Sequence, residues 1–373
     1  MSCSLTIRTF VIAIVIDCST LTKDKSHKKA DKMTPGSLNG PNGGNNSAWT
    51  RVMASLKAAK GILLSLMSAI FLSFCAEFIA LASKAGIPGF QILFLMRLIE
   101  LLTLVPILAF CRPKLMGENR YQNIMLFLFV IIANFADIVN FLSFTYTVPG
   151  IAFGIIQGSM PFFVSCIGSL FLNESLGILD ICAILLGITG VVLLAFGMTH
   201  IGAMSTKLLL LSIIIPVLAS FANAPDMIMM RYLRGTLGIP ITTSLLHQDL
   251  YGTVVLLAIT YTAETPVWKM PLRTVLYVIG LGVSKFLAIF TVFAALEVEK
   301  AYIPTALRMF VIPISLLLDY CFLEEVPNSL QVAGVTLVIL GLILISGYTW
   351  WTHRQEELQR TLLETLYFDP DEN

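Results

Sequence analysis

Long apolar stretches separated by short polar breaks dominate the chain from Gly61 to about Trp350. A helix that crosses the hydrocarbon core of a bilayer needs roughly 20 predominantly apolar residues. Strand-like alternation of apolar and polar residues is absent, which argues against a membrane β-barrel. The pattern predicts an all-α membrane protein with ten transmembrane helices, at about residues 62–83, 89–111, 122–146, 150–172, 178–197, 208–231, 241–263, 273–295, 302–323 and 328–350.

The breaks between these helices differ in strength. Polar loops such as RPKLMGENR (residues 112–120) separate helices clearly. Residues 138–173 carry no charge and are too long for one helix, so we place a break at Pro149-Gly150, because proline interrupts a helix. Before the first helix, the segments KDKSHKK and GSLNGPNGGNNS predict a disordered cytoplasmic tail over residues 1–60.

The two halves of the chain repeat each other. FLNESLGILDICAILLGITGVVLL, residues 171–194, returns in register as FLEEVPNSLQVAGVTLVILGLILI, residues 322–345, and GIP returns likewise. Helices one to five thus correspond to helices six to ten. Because five is odd, the second copy must enter the membrane from the opposite side, an inverted repeat common among secondary transporters. The predicted domains are the two repeats, residues 61–199 and 200–352, followed by a cytoplasmic tail, residues 353–373.

Composition supports a membrane protein and excludes several functions. The chain is 57% hydrophobic and 13% charged, whereas soluble domains are about half apolar and a quarter charged. The net charge of +1 gives no reason to expect a nucleic-acid partner. We recognise no catalytic motif, ATP-binding loop or metal-ligand spacing, so the sequence predicts neither an enzyme nor a cofactor.

Lysine and arginine near helix ends predict the orientation, because they favour the cytoplasmic side. With the amino terminus inside, eleven such residues flank the inner side: Arg51, Lys57, Lys60, Arg112, Lys114, Arg120, Arg231, Arg234, Lys300, Arg354 and Arg360. Four flank the outer side: Lys84, Lys207, Lys269 and Arg273. Both termini are therefore expected in the cytoplasm, with the protein in the plasma membrane or an endomembrane (Golgi or endoplasmic reticulum).

Several segments carry a resemblance to a known family. KGILLSLMSAIFLSF and FQILFLMRLIELLTLVPIL in the first half, and ALEVEKAYIPTALRM, FLEEVP and GVTLVILG in the second, resemble the drug/metabolite transporter superfamily with two EamA-type repeats. The nearest likeness is to the solute carrier 35 type, G subgroup, over about residues 60–350. Arg97 stands where the family often has an arginine. The resemblance implies that helices one to four and six to nine line a central cavity, with helices five and ten outside it.

Ionisable side chains occur within seven of the predicted helices. At the membrane centre each costs about 2.5–3.5 kcal/mol, so these residues should face one another or water. Helices four, five and ten have no charge in their cores and can face lipid or a partner. The ionisable residues are Glu77, Arg97, Glu100, Asp137, Asp226, His247, Asp249, Lys285, Arg308 and Asp319.

Helices three and four carry candidate cavity residues. Asn134, Asp137 and Asn140 are spaced three residues apart on one helix face. They either line the cavity or join helices by hydrogen bonds. Gln157 precedes Pro161, whose missing N–H frees a carbonyl that can contact a ligand or simply kinks the helix.

Lys285 and Arg308 are the candidate substrate-binding cations, because they would attract a carboxylate or phosphate. The alternative is internal pairing with Asp137, Asp226 or Asp249.

Other residues have separate predicted roles. Arg97 and Glu100, three residues apart, predict a structural ion pair. Glu77 and Asp226 are candidates for proton coupling, since a buried carboxylate can titrate near neutral pH. Small residues in helices five and ten permit close helix contact, which serves the fold or a homodimer.

Together these features predict a secondary transporter that works by alternating access. Its substrate would be a small polar organic metabolite, with an organic anion favoured, moved by exchange or proton coupling across the lipid bilayer. The alternative function is a multi-pass membrane adaptor that binds protein partners and transports nothing.

Overall fold

The computed structural model describes residues 46–146, 149–171, 177–198, 206–323 and 328–367, and every element in these ranges is helical. A single 3-10 turn, Arg308–Phe310, separates α9 from α10. The helices are α1 (Asn46–Lys84), α2 (Gly89–Cys111), α3 (Arg120–Tyr146), α4 (Pro149–Phe171), α5 (Ile178–Met198), α6 (Thr206–Gly235), α7 (Ile241–Ala263), α8 (Leu272–Leu296), α9 (Tyr302–Leu307), α10 (Val311–Leu323) and α11 (Ser329–Tyr367).

The helix bounds follow the hydrophobic pattern closely. The observed ranges of α2 and α7 coincide with the predicted helices 89–111 and 241–263. The outer helices are longer than predicted. Residues 46–60, expected in the disordered tail, form the start of α1, because TRVMASLKAAK is rich in good helix formers. At the other end α11 continues through Trp351 to Tyr367, into the predicted tail.

The ninth predicted helix is interrupted. Residues 302–323 were expected to form one helix, but α9 ends at Leu307 and α10 begins at Val311. Pro313 has no backbone N–H to donate to the carbonyl of Met309, so the regular helical ladder is broken in this turn. The interruption places Arg308 at the junction. The corresponding α4 contains Pro161 and runs without interruption from Pro149 to Phe171.

Seven helical segments of the described residues are long and apolar enough to cross a membrane: Lys60–Lys84, Gly89–Cys111, Arg120–Ser143, Ala152–Phe171, Ile213–Gly235, Leu272–Leu296 and Ser329–Thr352. Two shorter apolar segments are Ile178–Leu193 and Tyr302–Leu318. The 23-residue α7 is outside this set, since its buried side includes Thr242, Ser244, Gln248 and Asp249. The chain is therefore a multi-pass helical membrane protein, and ten crossings stay a prediction.

Helix pairs that join the two repeats recur with the repeats interchanged. α1 packs along α8, and α6, which corresponds to α1, packs along α3, which corresponds to α8. In the same way α6 packs against α4, while α1 packs against α9 and α10. α2 packs against its own counterpart α7, and α5 against its counterpart α11. These contacts between the halves thus have equivalents with the halves interchanged.

α2 and α7 run antiparallel where they pack together. The backbone N–H of Phe90, at the start of α2, donates to Glu264 Oε2, just after the end of α7, at 2.9 Å. At the opposite end Thr243 Oγ1, near the start of α7, donates to the carbonyl of Lys114, after the end of α2, at 2.7 Å. The start of each helix therefore lies beside the end of the other.

The small residues of the fifth and tenth predicted helices contact each other within the chain. A Cβ on Gly190 of α5 would lie 2.6 Å from the carbonyl oxygen of Gly334 in α11. A Cβ on Gly341 would lie 2.8 Å from the carbonyl oxygen of Ala183. Glycine at both positions allows the two backbones to approach closely. This pair of helices stands at one side of the bundle, with Ile178 and Phe196 exposed.

Candidate functional site

A small polar cavity lies between helices of both repeats. Its volume is about 30 Å³, and a single water molecule needs about 10–15 Å³ of such space. The cavity therefore has room for about two water molecules, and this conformation is closed to an organic solute. Its polar lining comes from α3, α4, α6, α7, α8 and the turn before α10: Asp137, Asn140, Gln157, Asn223, Asp226, Gln248, Lys285 and Arg308.

Arg308 is a buried cation that forms no ion pair with a carboxylate among the described residues. The residue is 4% exposed and lines the cavity. In the part of the chain that the structure describes, its guanidinium forms no ion pair, and its Nε has no hydrogen-bond partner. Asp226 lines the same cavity without forming an ion pair to it. Arg308 is thus held in the membrane interior with hydrogen-bonding capacity left over.

Lys285 faces the same cavity but has a partner. Its Nζ lies 3.7 Å from Asp137 Oδ1, a loose ion pair between α8 and α3. The other oxygen of that carboxylate, Oδ2, accepts a short hydrogen bond from Arg97 Nη2. Asp137 is therefore shared by two cations. Of the two predicted substrate-binding cations, the structure pairs Lys285 internally and leaves Arg308 open.

Arg97 is the centre of a buried cluster of carboxylates. Its Nη1 lies 2.6 Å from Glu100 Oε2 and 2.9 Å from Asp249 Oδ1, while Nη2 contacts Asp137. The Arg97 side chain is 0% exposed. The predicted contact with Glu100 is thus one of three, and the cluster joins α2, α3 and α7. Among the described residues, no group of three His, Cys, Asp or Glu side chains is arranged to hold a metal ion.

The polar stripe of α3 divides between the cavity and helix contacts. Asp137 and Asn140 line the cavity, and the side chains of Asn140 and Asn223 exchange hydrogen bonds of 3.0 and 2.6 Å. Asn134 lies outside the lining. Its amide nitrogen donates to the carbonyl oxygens of Val130 and Gln248, at 2.8 and 3.3 Å. Asn134 therefore joins α3 to α7, which is the alternative role considered for this stripe.

Three other predicted residues are buried acceptors. Gln157 Oε1 and Asp226 Oδ1 belong to residues of the cavity lining, and neither atom has a hydrogen-bond partner among the described residues. Glu77 is 7% exposed and lies outside the lining, and its Oε1 is also without a partner in the described part of the chain. The cavity lining thus combines the acceptor residues Gln157 and Asp226 with the cations Lys285 and Arg308.

Sequence reasoning missed two residues of the site and one contact. Asn223 and Gln248 line the cavity but carry no charge, so nothing distinguished them from other polar residues in apolar helices. Asp249 was recognised as ionisable, but its contact with Arg97 was not predicted. A usable signal existed, because the two residues are 152 positions apart, close to the period of the repeat. Equivalent positions of α2 and α7 meet where these two helices cross.

Comparisons with known proteins agree with the two repeats. The sequence model of the EamA-like transporter family matches residues 59–196 and again residues 210–347. No curated protein matches the chain in sequence. A crystal structure of another protein is similar in fold, with a TM-score of 0.62 over 79% of this chain and 96% of that one. At 15% sequence identity this likeness shows the fold alone.

Proposed function

The chain belongs to the EamA-like transporter family, which makes it a membrane transporter of small molecules, and we propose that it is a secondary transporter working by alternating access. Its substrate is a small polar organic anion that binds in the cavity beside Arg308 and Lys285. Membership of the solute carrier 35 type, G subgroup, belongs to the same proposal. The proposal also includes a cytoplasmic location of both termini and residence in the plasma membrane or an endomembrane.

The unpaired Arg308 is the observation that carries the substrate class. A buried charge is costly unless it is paired and hydrogen-bonded, and insertion of an arginine at the membrane centre costs about 2.5–3.5 kcal/mol. Arg97 meets this requirement with three carboxylates. Arg308 does not, yet it lines the cavity. A carboxylate or phosphate in an enlarged cavity would complete its coordination, and Lys285 is close enough in the lining to contribute.

The relation between the two halves supports alternating access. The exchange of helix contacts between the repeats and the antiparallel packing of α2 against α7 are what an inverted repeat requires. Two similar halves in opposite orientations can form two conformations of similar energy, one open to each side. The closed cavity then represents an intermediate between them. The proposal accordingly includes ten membrane crossings and opposite orientation of the two repeats.

Counterflow in proteoliposomes tests this function. Vesicles loaded with an unlabelled compound are diluted into its labelled form, and uptake by exchange is measured for carboxylates, organic phosphates, nucleotide sugars and amines. We expect uptake of an anion, reduced in the Arg308→Ala and Lys285→Ala variants. Uptake restricted to amines, or anion uptake equal to that of the parent in both variants, would contradict the substrate assignment.

The alternative function, a membrane adaptor without transport, makes the opposite prediction. Neutralising Arg308 and Lys285 would then leave its activity unchanged, whereas truncation of α11 after Trp351 would abolish binding of a partner. The small residues of α5 and α11 contact each other within one chain, so they do not by themselves favour an assembly of two copies. A homodimer through these helices stays a prediction.

A further inference from the structure

The Arg97 cluster contains more negative than positive charge. Arg97, Glu100 and Asp249 are at most 1% exposed, and Asp137 contacts both Arg97 and Lys285. When all five groups are ionised, three carboxylates face two cations. Leaving one charge uncompensated in a buried site is strongly unfavourable. A single bound proton removes the excess negative charge.

Glu100 and Asp249 are the pair best placed to hold that proton. Their carboxylates share one donor, Arg97 Nη1, which lies 2.6 Å from Glu100 Oε2 and 2.9 Å from Asp249 Oδ1. Their remaining oxygens, Glu100 Oε1 and Asp249 Oδ2, are buried and have no partner among the described residues. Two ionised carboxylates offer only acceptors. One proton would turn one of these oxygens into a donor, so that the pair would no longer offer acceptors alone.

We propose that Glu100 and Asp249 share one exchangeable proton, and that its uptake and release couple anion transport to the pH gradient. This inference rests on the proposed transport function and replaces the expectation that Glu77 or Asp226 carries the proton. The proton is taken from water while the site communicates with one side of the membrane. It is returned to water on the other side, and Arg97 stays charged throughout.

The surroundings of the pair are themselves charged. The groups on the packed helices are Cys75 and Glu77 of α1, Arg97 of α2, Asp137 of α3, Asp226 of α6, His247 of α7, Lys285 of α8 and Arg308 of the turn before α10. The Nδ1 of His247 lies 2.9 Å from the carbonyl oxygen of Thr243 on its own helix. The cations that matter most are Arg97 and Lys285, since they contact the cluster directly.

Asp137 provides the link between the proton and the substrate. It lies between Lys285, in the cavity, and Arg97, in the cluster. An anion that binds at Arg308 and Lys285 competes with Asp137 for Lys285. The negative charge of Asp137 is then compensated mainly by Arg97. Arg97 therefore compensates the charges of Glu100 and Asp249 less, and the protonated form of that pair is favoured. Linkage requires the reverse as well: a bound proton must strengthen binding of the anion.

Infrared spectroscopy of the purified protein tests the proton site without any substrate. A protonated carboxylic acid has a C=O stretching band distinct from that of a carboxylate, and the band shifts in deuterated water. We expect such a band at neutral pH, absent from Glu100→Gln and Asp249→Asn and retained in Asp249→Glu. These amides resemble the neutral acid in shape, and folding is checked for each variant by thermal unfolding.

The matched controls are Glu77→Gln, Asp226→Asn and the exposed Glu118→Gln, all of which should keep the band. Loss of the band in Glu77→Gln or Asp226→Asn, with retention in both cluster variants, would overturn the proposal. So would the absence of any protonated carboxyl at neutral pH in the parent.

A second measurement separates coupling from transport. The anion that gives counterflow is offered to proteoliposomes with an acidic exterior, and its uptake is compared with counterflow in the same vesicles. We expect the ratio of proton-driven uptake to counterflow to fall about tenfold in Asp249→Asn, within the usual range for coupled sites. An unchanged ratio would refute the coupling while leaving the transport function standing. Absence of counterflow for every anion would refute the transport function instead.

Discussion

Two buried arginines, Arg97 and Arg308, occupy the same membrane interior with opposite surroundings. Arg97, on the regular helix α2, contacts Glu100, Asp137 and Asp249. Arg308 lies in the turn between α9 and α10 and forms no ion pair among the described residues. The first cation ties three helices together. The second lines a cavity, on a segment whose regular helical hydrogen bonding is interrupted.

The difference shows how a membrane protein can separate stability from binding. A buried cation that contacts carboxylates on several helices fixes the positions of those helices. A cation with unused donors gains most when a ligand supplies the missing acceptors. Substitutions at the two arginines should therefore affect different measurements, stability for Arg97 and substrate affinity for Arg308.

Removal of Arg97 should have the largest effect. Arg97→Gln leaves Glu100 and Asp249 without their cation and Asp137 with Lys285 alone, and loss of one partner of a buried ion pair typically costs about 3–5 kcal/mol. We expect little folded protein and a much lower thermal unfolding temperature in detergent. Arg97→Lys, which keeps the charge but not the forked geometry, should be intermediate. Wild-type stability of Arg97→Gln would show that the cluster does not hold the helices together.

Arg308→Gln should reduce affinity rather than stability. Loss of a hydrogen bond to a charged group costs about 1.5–3 kcal/mol, which corresponds to a roughly 10- to 100-fold increase in the KM for anion uptake. The unfolding temperature should fall much less than in Arg97→Gln, because no ion pair is broken. Lys269→Gln, an exposed cation in the loop after α7, is the control. If Arg308→Gln and Lys269→Gln raised the KM equally, Arg308 would not be a substrate-binding residue.

A substitution at Gly252 tests how closely α7 must approach the Arg97 cluster. A Cβ at this position would overlap the Asn134 side chain and lie 3.5 Å from Arg97 Nε. Gly252→Ala should therefore destabilise the protein by about 1–3 kcal/mol, the usual cost of overpacking. Adding Asn134→Ser should recover part of the loss in thermal unfolding experiments. Additive losses in the double variant would place the strain elsewhere.

Lys285→Gln should have the smallest effect on stability. Its contact with Asp137 is long, at 3.7 Å, and Asp137 keeps its bond to Arg97, so we expect a loss well below the roughly 3–5 kcal/mol typical of a broken buried pair. The KM for the anion should rise, but less than in Arg308→Gln. A larger increase than that of Arg308→Gln would make Lys285 the main anion-binding residue and weaken the contrast between the two arginines.

The sequence predicted the architecture better than the site. The pattern of apolar stretches and polar breaks located α2 and α7, and the family match confirmed the two repeats. It did not predict that Asp249 contacts Arg97: the 152-residue separation marks the two positions as equivalent, but their contact also depends on how α7 is rotated and how closely Gly252 lets it approach. Nor could it predict the break at Arg308, since Pro161 leaves the equivalent helix α4 continuous.

The central claim is that the cavity beside Arg308 opens to each side of the membrane in turn. In a chain whose seven cysteines are replaced, Gln157→Cys places one thiol in the cavity lining. We predict that a membrane-impermeant maleimide labels it from either side of sealed vesicles. Lys114→Cys and Lys269→Cys, in the loops after α2 and α7, should each be labelled from one side only, and from opposite sides. Labelling of Gln157→Cys from a single side, or of both loops from the same side, would contradict the account.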